Sequence, residues 1–135
     1  MKVLVTGASG MLGGEVAKRL RDAGHEVSAF QRRPAGIEGI TDVCGSLTEA
    51  DQVRRAVDGN DAVVHLAAKV SISGPEEEYR AINIEGTRNV VNALRAQGGG
   101  KLVNTSSPSV AHFGEAIVGL DATAPEPTRA RGPYA

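Results

Sequence analysis

Three glycines at equal spacing follow the first apolar stretch of the chain, and they constrain its fold more than any other feature. Gly7, Gly10 and Gly13 stand in the stretch TGASGMLG. Residues 3–6 before them are mostly β-branched and lack polar alternation, which is typical of a strand covered on both faces. Apolar residues recur at helical spacing after them, so a helix is predicted over residues 11–23. The sequence therefore predicts a glycine turn that joins a buried strand to a helix.

The rest of the chain alternates strand-like and helix-like stretches. Leu12, Val16 and Leu20 give the first helix an apolar face, and Thr48 with Asp51 predicts a capped start for the second. Pro75 begins a long helix that continues to the glycines after residue 97. Further strands are predicted at residues 26–30, 40–43, 61–66 and 101–105, and residues 108–135 are predicted mostly as loop. This order predicts the α/β class, a Rossmann-like doubly wound parallel sheet of order 3-2-1-4-5, truncated after about the fifth strand.

Composition excludes several classes of function. The 135 residues suit one domain, and 15 basic against 16 acidic residues leave a net charge of −1, without the positive field that nucleic acid or anionic membrane would need. The single cysteine, Cys44, allows neither an internal disulfide nor a zinc cluster, and His25 and His112 lack metal-ligand partners at useful spacing. No metal is assigned. The apolar stretch after Met1 and Lys2 is far shorter than a signal sequence or a membrane span requires, so we expect a soluble, cytoplasmic protein.

The position of the glycine turn suggests what it binds. Gly7 permits a tight exit from the strand, Gly10 has no Cβ to block a pyrophosphate, and Gly13 lets the helix press against the sheet with its free N–H groups toward the phosphates. The alternative is a turn that only tightens the joint between strand and helix. The flanking elements favour dinucleotide binding.

The end of the second predicted strand bears on the choice of cofactor. An acidic residue there would accept from the ribose 2′-OH of NAD, whereas a basic residue would pair with the 2′-phosphate of NADP. The sequence has Gln31, Arg32 and Arg33 and no carboxylate at that point. We therefore expect NADP, with NAD possible if the arginines are only a solvated turn.

Three later segments resemble a known family. His65-Leu66-Ala67-Ala68, the stretch AINIEGTRNVV at residues 81–91 and Thr105-Ser106-Ser107-Pro108-Ser109-Val110 are similar to signatures of the extended short-chain dehydrogenase/reductases. The last segment most resembles the branch of 3β-hydroxysteroid dehydrogenases and sterol 4-carboxylate 3-dehydrogenases. The resemblance implies that residues 1–135 are an incomplete NAD(P)-binding Rossmann domain, with the substrate-binding lobe further downstream.

The same resemblance implies the catalytic residues. Ser107 is the expected catalytic serine, which holds the substrate oxygen, and Tyr134 is the expected base. In the family a lysine four residues after the tyrosine favours the phenolate. The sequence ends at Ala135, before that position. We therefore expect an N-terminal fragment that turns over poorly alone and self-associates through its open edge strand.

The remaining candidates contact the cofactor or support those that do. Asn83 is expected to be buried and to brace the cofactor end of a strand, and His65 is expected to be a strand-end histidine satisfied by backbone rather than a base. Ser46 stands where the family more often has an acidic residue to meet the adenine. The predicted cofactor-binding residues are Gly7, Ser9, Gly10, Met11, Leu12, Gly13, Arg32, Arg33, Ser46, Leu47, Leu66, Ala67, Ala68, Asn83, Thr105 and Ser106.

Three functions remain open at this stage. The first is an NAD(P)-dependent oxidoreductase that interconverts a secondary alcohol and a ketone, with a small-molecule substrate resembling a steroid or sterol. The second is a nucleotide-sugar epimerase or dehydratase, and the third is an NADP-binding sensor or scaffold without catalysis. The resemblance allows a homodimer in the full-length protein.

Overall fold

Strands and helices alternate along the chain as the sequence predicts. The computed structural model describes residues 1–71, 73–111, 119, 121 and 134. Most of the predicted loop 108–135 lies outside the described residues, and so does His112. The strands are β1 (Lys2–Thr6), β2 (Glu26–Gln31), β3 (Thr41–Cys44), β4 (Ala62–His65) and β5 (Lys101–Asn104). The helices are α1 (Met11–Asp22), α2 (Ala50–Val57), α3 (Glu76–Tyr79) and α4 (Gly86–Ala96), with a π-helical segment (Arg80–Glu85) joining the last two and a 3₁₀ turn (Pro108–Ala111) after β5.

The strands form one parallel sheet in the order β3-β2-β1-β4-β5. The predicted class and strand order are confirmed. The chain leaves β1 toward β2 on one side and later returns to place β4 on the other, so the order reverses between β1 and β4. Ligands of open parallel sheets bind in the crevice at such a reversal, beyond the carboxyl ends of the strands. Thr6 and His65 are paired in register at that point.

Both faces of the central strand are covered. Leu4 of β1 packs in a cluster with residues of α2 and α4, whereas Val3 and Val5 pack on the opposite face with Ala17 of α1. Val3, Leu4 and Val5 are 3%, 1% and 0% exposed, which explains why the sequence of β1 shows no polar alternation. Burying each such side chain contributes roughly 1.5–3 kcal/mol. The two clusters hold the carboxyl ends of β1 and β4 in fixed positions.

The predicted apolar face of α1 is wrong at one residue. Leu12 is 54% exposed, while the buried residues of the helix are Gly13 and Ala17. These small residues let the helix axis come close to the sheet, and the larger Val16 and Leu20 are left half-buried at its flank. Leu12 is therefore free to face the crevice at the end of β1.

The predicted cap at Thr48 is also wrong. Helix α2 begins after Glu49, whose carbonyl accepts from the N–H groups of Gln52 and Val53. The Thr48 hydroxyl is instead bonded to that of Ser46 at 2.8 Å. A hydroxyl that forms a local turn is not available to cap the helix two residues later.

The long helix predicted from Pro75 is present but is not uniformly α-helical. The π-helical segment widens it between Tyr79 and Gly86. Tyr79 is buried, and its hydroxyl donates a bifurcated bond to the carbonyls of Ser71 and Ser73 at 3.0 and 3.1 Å. π-Helical segments often occur at functional sites.

Among the described residues, no helix has the length and apolar character that crossing a bilayer requires.

Candidate active site

A cleft of about 1540 Å³ lies beyond the carboxyl ends of the strands, where the strand order reverses. Its lining contains every residue that the sequence predicted to contact cofactor or substrate. From the turn after β1 these are Gly7, Ser9, Gly10, Met11, Leu12 and Gly13, and from the segments after β2 and β3 they are Arg32, Arg33, Ser46 and Leu47. From the rest of the chain they are Leu66, Ala67, Ala68, Asn83, Thr105, Ser106, Ser107 and Tyr134.

Gly7 is required by its backbone and by its neighbours. Its φ is +78°, a conformation that favours glycine. A Cβ at this position would also lie 2.9 Å from both Cα and N of Ala67, in the segment that follows β4. Any side chain at Gly7 would therefore push apart the two segments that form the centre of the cleft.

Gly13 and Gly10 are required to different degrees. A Cβ at Gly13 would lie 2.2 Å from the carbonyl oxygen of Gly7, so α1 packs directly on the turn that precedes it. A Cβ at Gly10 would meet the same oxygen at 3.3 Å, a tight contact that a small shift relieves. Gly13 therefore shapes the turn, while Gly10 leaves open space on its cleft side.

The N-terminus of α1 is free to bind an anion. Gly10 occupies the cap position and no side chain of the described residues caps this end. The first N–H groups of a helix lack partners within the helix, and the helix dipole makes that end positive. Together with the space that the glycines leave, this cradle fits a pyrophosphate.

A chain of hydrogen bonds joins β1, β4 and α4 at the cleft. The Thr87 hydroxyl donates to the carbonyl of Asn83 at 2.7 Å, so Nε2–H of His65 donates to Thr87 at 3.0 Å. Nδ1 of His65 then accepts from the Thr6 hydroxyl at 2.7 Å. Burial lowers the pKa of His65 to about 4, because the charged form would lose its hydration. The histidine is neutral near pH 7 and holds strands together.

This finding corrects the expected partners of His65. The sequence predicted a histidine satisfied by backbone, but both ring nitrogens are bonded to threonine hydroxyls. Neither threonine was singled out from the sequence, although Thr6 follows the apolar residues 3–5 at a position where a polar residue needs a partner. Because both nitrogens are occupied, His65 is not available as a general base.

Asn83 braces the loop after β4, as the sequence suggested. Its Oδ1 accepts from the Lys69 N–H at 2.7 Å, and its Nδ2 donates to the Lys69 carbonyl at 3.1 Å. The residue is half-buried rather than buried, since it lies on the π-helical segment at the cleft wall. Lys69 is held from its other end as well: its Nζ pairs with Glu78 at 2.6 Å and lies 5.1 Å from the centre of the Tyr79 ring.

Ser46 and Leu47 form the wall of the cleft beyond β3. The Ser46 hydroxyl is bonded to Thr48, and its N–H donates to Oε1 of Gln52 at 2.8 Å. The Leu47 carbonyl accepts from Asn89 of α4 at 2.8 Å. A Cβ at Gly86 would lie 2.9 Å from Cβ of Leu47, so the glycine at the start of α4 admits this loop. The wall therefore presents the apolar side chain of Leu47 rather than a carboxylate.

At the end of β2 the structure reveals a contact that the sequence did not predict. Oε1 of Gln31 accepts from the Ala8 N–H at 3.2 Å, and Nε2 of Gln31 donates to Asp42 at 3.0 Å. From the sequence, Gln31 was notable only because it places no carboxylate at the end of β2. Arg32 and Arg33 follow it, exposed at the cleft.

The two expected catalytic residues reach the same cleft from different segments. Ser107 follows β5 and is half-buried; its hydroxyl donates to Ser109 Oγ at 3.1 Å and accepts from the Ser109 N–H at 3.2 Å. Tyr134 is also half-buried and lines the cleft. No hydrogen bond joins Ser107 to Tyr134, both of which the structure describes.

Comparison with known proteins gives consistent matches. The model of the NAD dependent epimerase/dehydratase family matches residues 3–135. The chain is 43% identical over 115 residues to the 2-alkyl-3-oxoalkanoate reductase of Stenotrophomonas maltophilia, covering 83% of this chain and 35% of the relative. It is 39% identical over 138 residues to the 3-beta-hydroxysteroid dehydrogenase of Mycolicibacterium neoaurum, covering 95% of this chain and 38% of the relative.

The fold is also similar to that of a solved structure in complex with NAD. The crystal structure of the UDP-glucose 4-epimerase of Thermus thermophilus in complex with NAD has a TM-score of 0.85 and 29% sequence identity to this chain. The match covers 99% of this chain and 45% of that chain. The chain thus spans 35% and 38% of the length of the two curated relatives and 45% of that of the solved structure.

Proposed function

Because this chain belongs to the NAD dependent epimerase/dehydratase family, we propose that it is the cofactor-binding part of an NADP-linked oxidoreductase that interconverts a secondary alcohol and a ketone. The observation that carries the proposal is that one cleft is lined by the glycine turn and by the hydroxyl-bearing Ser107 and Tyr134. Hydride chemistry at a carbonyl carbon needs a nicotinamide site and a group that exchanges a proton beside it.

The glycine turn would hold the pyrophosphate of the cofactor. The uncapped N–H groups of α1 supply donors and positive potential, and the space beside Gly10 lets phosphate oxygens approach the backbone. Leu47 would contact the adenine, and Ala67 and Ala68 would let the cofactor lie close to the chain after β4. When bound, the nicotinamide supplies the hydride acceptor or donor.

Tyr134 would exchange the proton of the substrate oxygen. As a phenolate it takes the hydroxyl proton in the oxidative direction, and as a phenol it returns that proton in the reductive direction. The oxidative direction needs the phenolate, which forms only where the surroundings favour the anion over the neutral phenol. A cation beside the ring favours the anion, and a lysine in the segment after Tyr134 would supply it, as the family resemblance implies.

Ser107 would hold the substrate oxygen. Its hydroxyl now donates to Ser109, a weak neutral bond that it can exchange for one to the substrate. A donor at that oxygen stabilises the negative charge that develops when the carbonyl is reduced. Ser107 and Tyr134 would then contact one atom of the substrate from two directions.

A largely apolar substrate is favoured. The names of the two curated relatives describe alcohol-ketone chemistry on a steroid and on an alkyl-substituted oxoalkanoate. The segment Ser106–Val110 resembles that of the steroid and sterol dehydrogenases, so we favour a steroid-like or sterol-like substrate for the intact protein.

A nucleotide-sugar epimerase or dehydratase is the second candidate. The likeness to a UDP-glucose 4-epimerase with NAD favours it. An epimerase keeps its nicotinamide between half-reactions, whereas a dehydrogenase releases it after each turnover. Absorbance of the intact protein after gel filtration separates the two: co-eluting nicotinamide supports the epimerase, and its absence supports the dehydrogenase.

Substitution of Tyr134 tests the enzymatic proposal. In the intact protein Tyr134→Phe should lower turnover by about 10²–10⁴-fold, while NADP binding measured by calorimetry stays unchanged. Tyr79→Phe, which removes the same hydroxyl from a tyrosine that is not among the residues lining the cleft, serves as the matched control. Unchanged turnover in Tyr134→Phe would exclude Tyr134 as the group that exchanges the proton. NADP binding without any turnover in the unsubstituted protein would favour an NADP-binding sensor or scaffold.

A further inference from the structure

We propose that Asp42 is a positioning residue that sets the cofactor preference of the site. It would do so by fixing the turn that carries Arg32 and Arg33 toward the 2′-phosphate of NADP. This inference rests on the proposed NADP-linked function, and it concerns a residue that does not itself line the cleft.

Asp42 closes the turn after β2 with three hydrogen bonds. It lies on β3, paired in register with Ala29, and is half-buried. Its Oδ1 accepts from the Ala35 N–H at 2.7 Å and from Nε2 of Gln31 at 3.0 Å, and its Oδ2 accepts from the Gly36 N–H at 3.1 Å. A carboxylate that receives several N–H donors forms strong, charge-assisted bonds. The two arginines thus lie in a loop whose two ends are held by one side chain.

The same carboxylate is linked to the glycine turn through Gln31. This residue stands where an acidic side chain would accept from the ribose of NAD, but both ends of its carboxamide are already used. Oε1 receives the Ala8 N–H, and Nε2 donates to Asp42. Gln31 therefore fixes the distance between the pyrophosphate cradle and the arginine turn, and it leaves recognition of the 2′ position to the arginines.

The charges of the turn after β2 fit a dianionic group such as the 2′-phosphate of NADP. Arg32 and Arg33 are exposed and line the cleft, and neither forms an ion pair with a described residue. Pro34 further restricts Arg33 to extended backbone conformations. The carboxylate of Asp42 faces the backbone N–H groups of the turn, and Asp42 is not among the residues that line the cleft.

Asp42 would change the affinity for NADP more than the affinity for NAD, because it orders the arginine-bearing turn before the cofactor binds. A guanidinium recognises a phosphate through a planar fork of donors, which requires a defined backbone. When a turn becomes ordered only on binding, the entropy cost of ordering reduces its affinity for the group that it contacts. NAD has no 2′-phosphate, so its affinity should depend little on Asp42.

Calorimetric titration of the intact protein with NADP and with NAD tests the proposal. Asp42→Ala should raise the Kd for NADP by about tenfold and the Kd for NAD by less than about twofold. Asp42→Asn keeps Oδ1 as the acceptor for Ala35 and Gln31, but it replaces Oδ2, the acceptor for Gly36, with an amide nitrogen. The rise of its Kd for NADP should therefore be smaller than that of Asp42→Ala. Asp51→Ala removes the same charge from an exposed site on α2 and should leave both affinities unchanged.

A double-mutant cycle separates this role from a general effect on folding. In an Arg32→Ala/Arg33→Ala background, Asp42→Ala should have no further effect on NADP affinity, because the groups that it positions are gone. An equal rise of both Kd values in Asp42→Ala, an unchanged NADP-to-NAD ratio, or the same loss in the arginine-free background overturns the role of Asp42. If the double arginine variant keeps the ratio of the unsubstituted protein, the proposed NADP preference itself is wrong.

Discussion

The hydroxyl of Thr6 donates to Nδ1 of His65 across 2.7 Å, where β1 and β4 end side by side. The same oxygen accepts from the N–H groups of Leu66 and Ala67 at 3.2 and 3.1 Å. One buried side chain thus sets the path of the chain after β4 and brings Ala67 against Gly7. The shape of the proposed pyrophosphate site therefore depends on a residue that no cofactor would touch.

Removing this hydroxyl should destabilise the protein. Thr6→Val leaves the buried Nδ1 of His65 and the N–H groups of the half-buried Leu66 and Ala67 without their partner. A buried unsatisfied group costs about 1–3 kcal/mol, and the two half-buried groups cost less because water can reach them. We expect the free energy of unfolding to fall by roughly 2–4 kcal/mol in urea titrations. Thr6→Ser keeps the hydroxyl and is the matched control. Equal stability of the two variants would contradict the role of the network.

Stability should fall in acid because of His65. The pKa of His65 is about 4 in the folded protein, against 6.5 for a histidine in the unfolded chain. Between these values the unfolded chain binds the proton more readily than the folded protein does. The contribution of neutral His65 to the free energy of unfolding is complete above about pH 6.5 and is lost as the pH falls to about 4. The total loss is about 3 kcal/mol.

Urea unfolding at a series of pH values measures this loss. His65→Gln should flatten the dependence between pH 6.5 and 4, whereas His25→Gln should retain it. A slope that survives in His65→Gln assigns the acid sensitivity to other groups.

Two glycines of the turn should respond differently to alanine. At Gly13 the new Cβ would lie 2.2 Å from the Gly7 carbonyl oxygen, so Gly13→Ala should lower both the melting temperature and cofactor affinity. At Gly10 the contact is 3.3 Å, so Gly10→Ala should fold nearly normally while its Cβ occupies space needed by the pyrophosphate. Thermal melts and calorimetry on both variants measure this difference, and normal NADP binding by Gly10→Ala would argue against the phosphate cradle.

The edge strand predicts the behaviour of a chain limited to residues 1–135. β5 pairs with β4 alone in the described part of the sheet, and its Leu102 and Val103 are 37% and 58% exposed. Unprotected apolar edge strands pair with other chains. We expect concentration-dependent self-association in sedimentation velocity, reduced by Val103→Lys and not by Val110→Lys, which lies off the sheet. A monodisperse monomer with a high melting temperature would contradict this expectation.

The parts of the fold that depend on local pattern were predictable. The apolar run of β1, the glycine spacing and the helix periodicity each follow from neighbouring residues, and they were enough to give the strand order and the crevice between β1 and β4. The family resemblance added Ser107 and Tyr134, which lie 27 positions apart in the sequence and which no local pattern would relate.

The parts that depend on tertiary contacts were not predictable. Thr48 looks like a helix cap in sequence, but Ser46 competes for its hydroxyl. Leu12 fits the apolar period of α1, yet it lies between Gly10 and Gly13 in the glycine turn, which leaves it at the cleft. Asp42 and Gln31 are 11 residues apart and carry no motif, so only the parallel pairing of β2 with β3 reveals that they act together.

The central claim is that the turn after β1 binds a dinucleotide, and titration calorimetry of the intact, folded protein with NADP and NAD tests it most directly. We expect saturable heat with one nucleotide bound per chain and a lower Kd for NADP than for NAD. No heat with either nucleotide, from protein whose melting curve shows that it is folded, would contradict it.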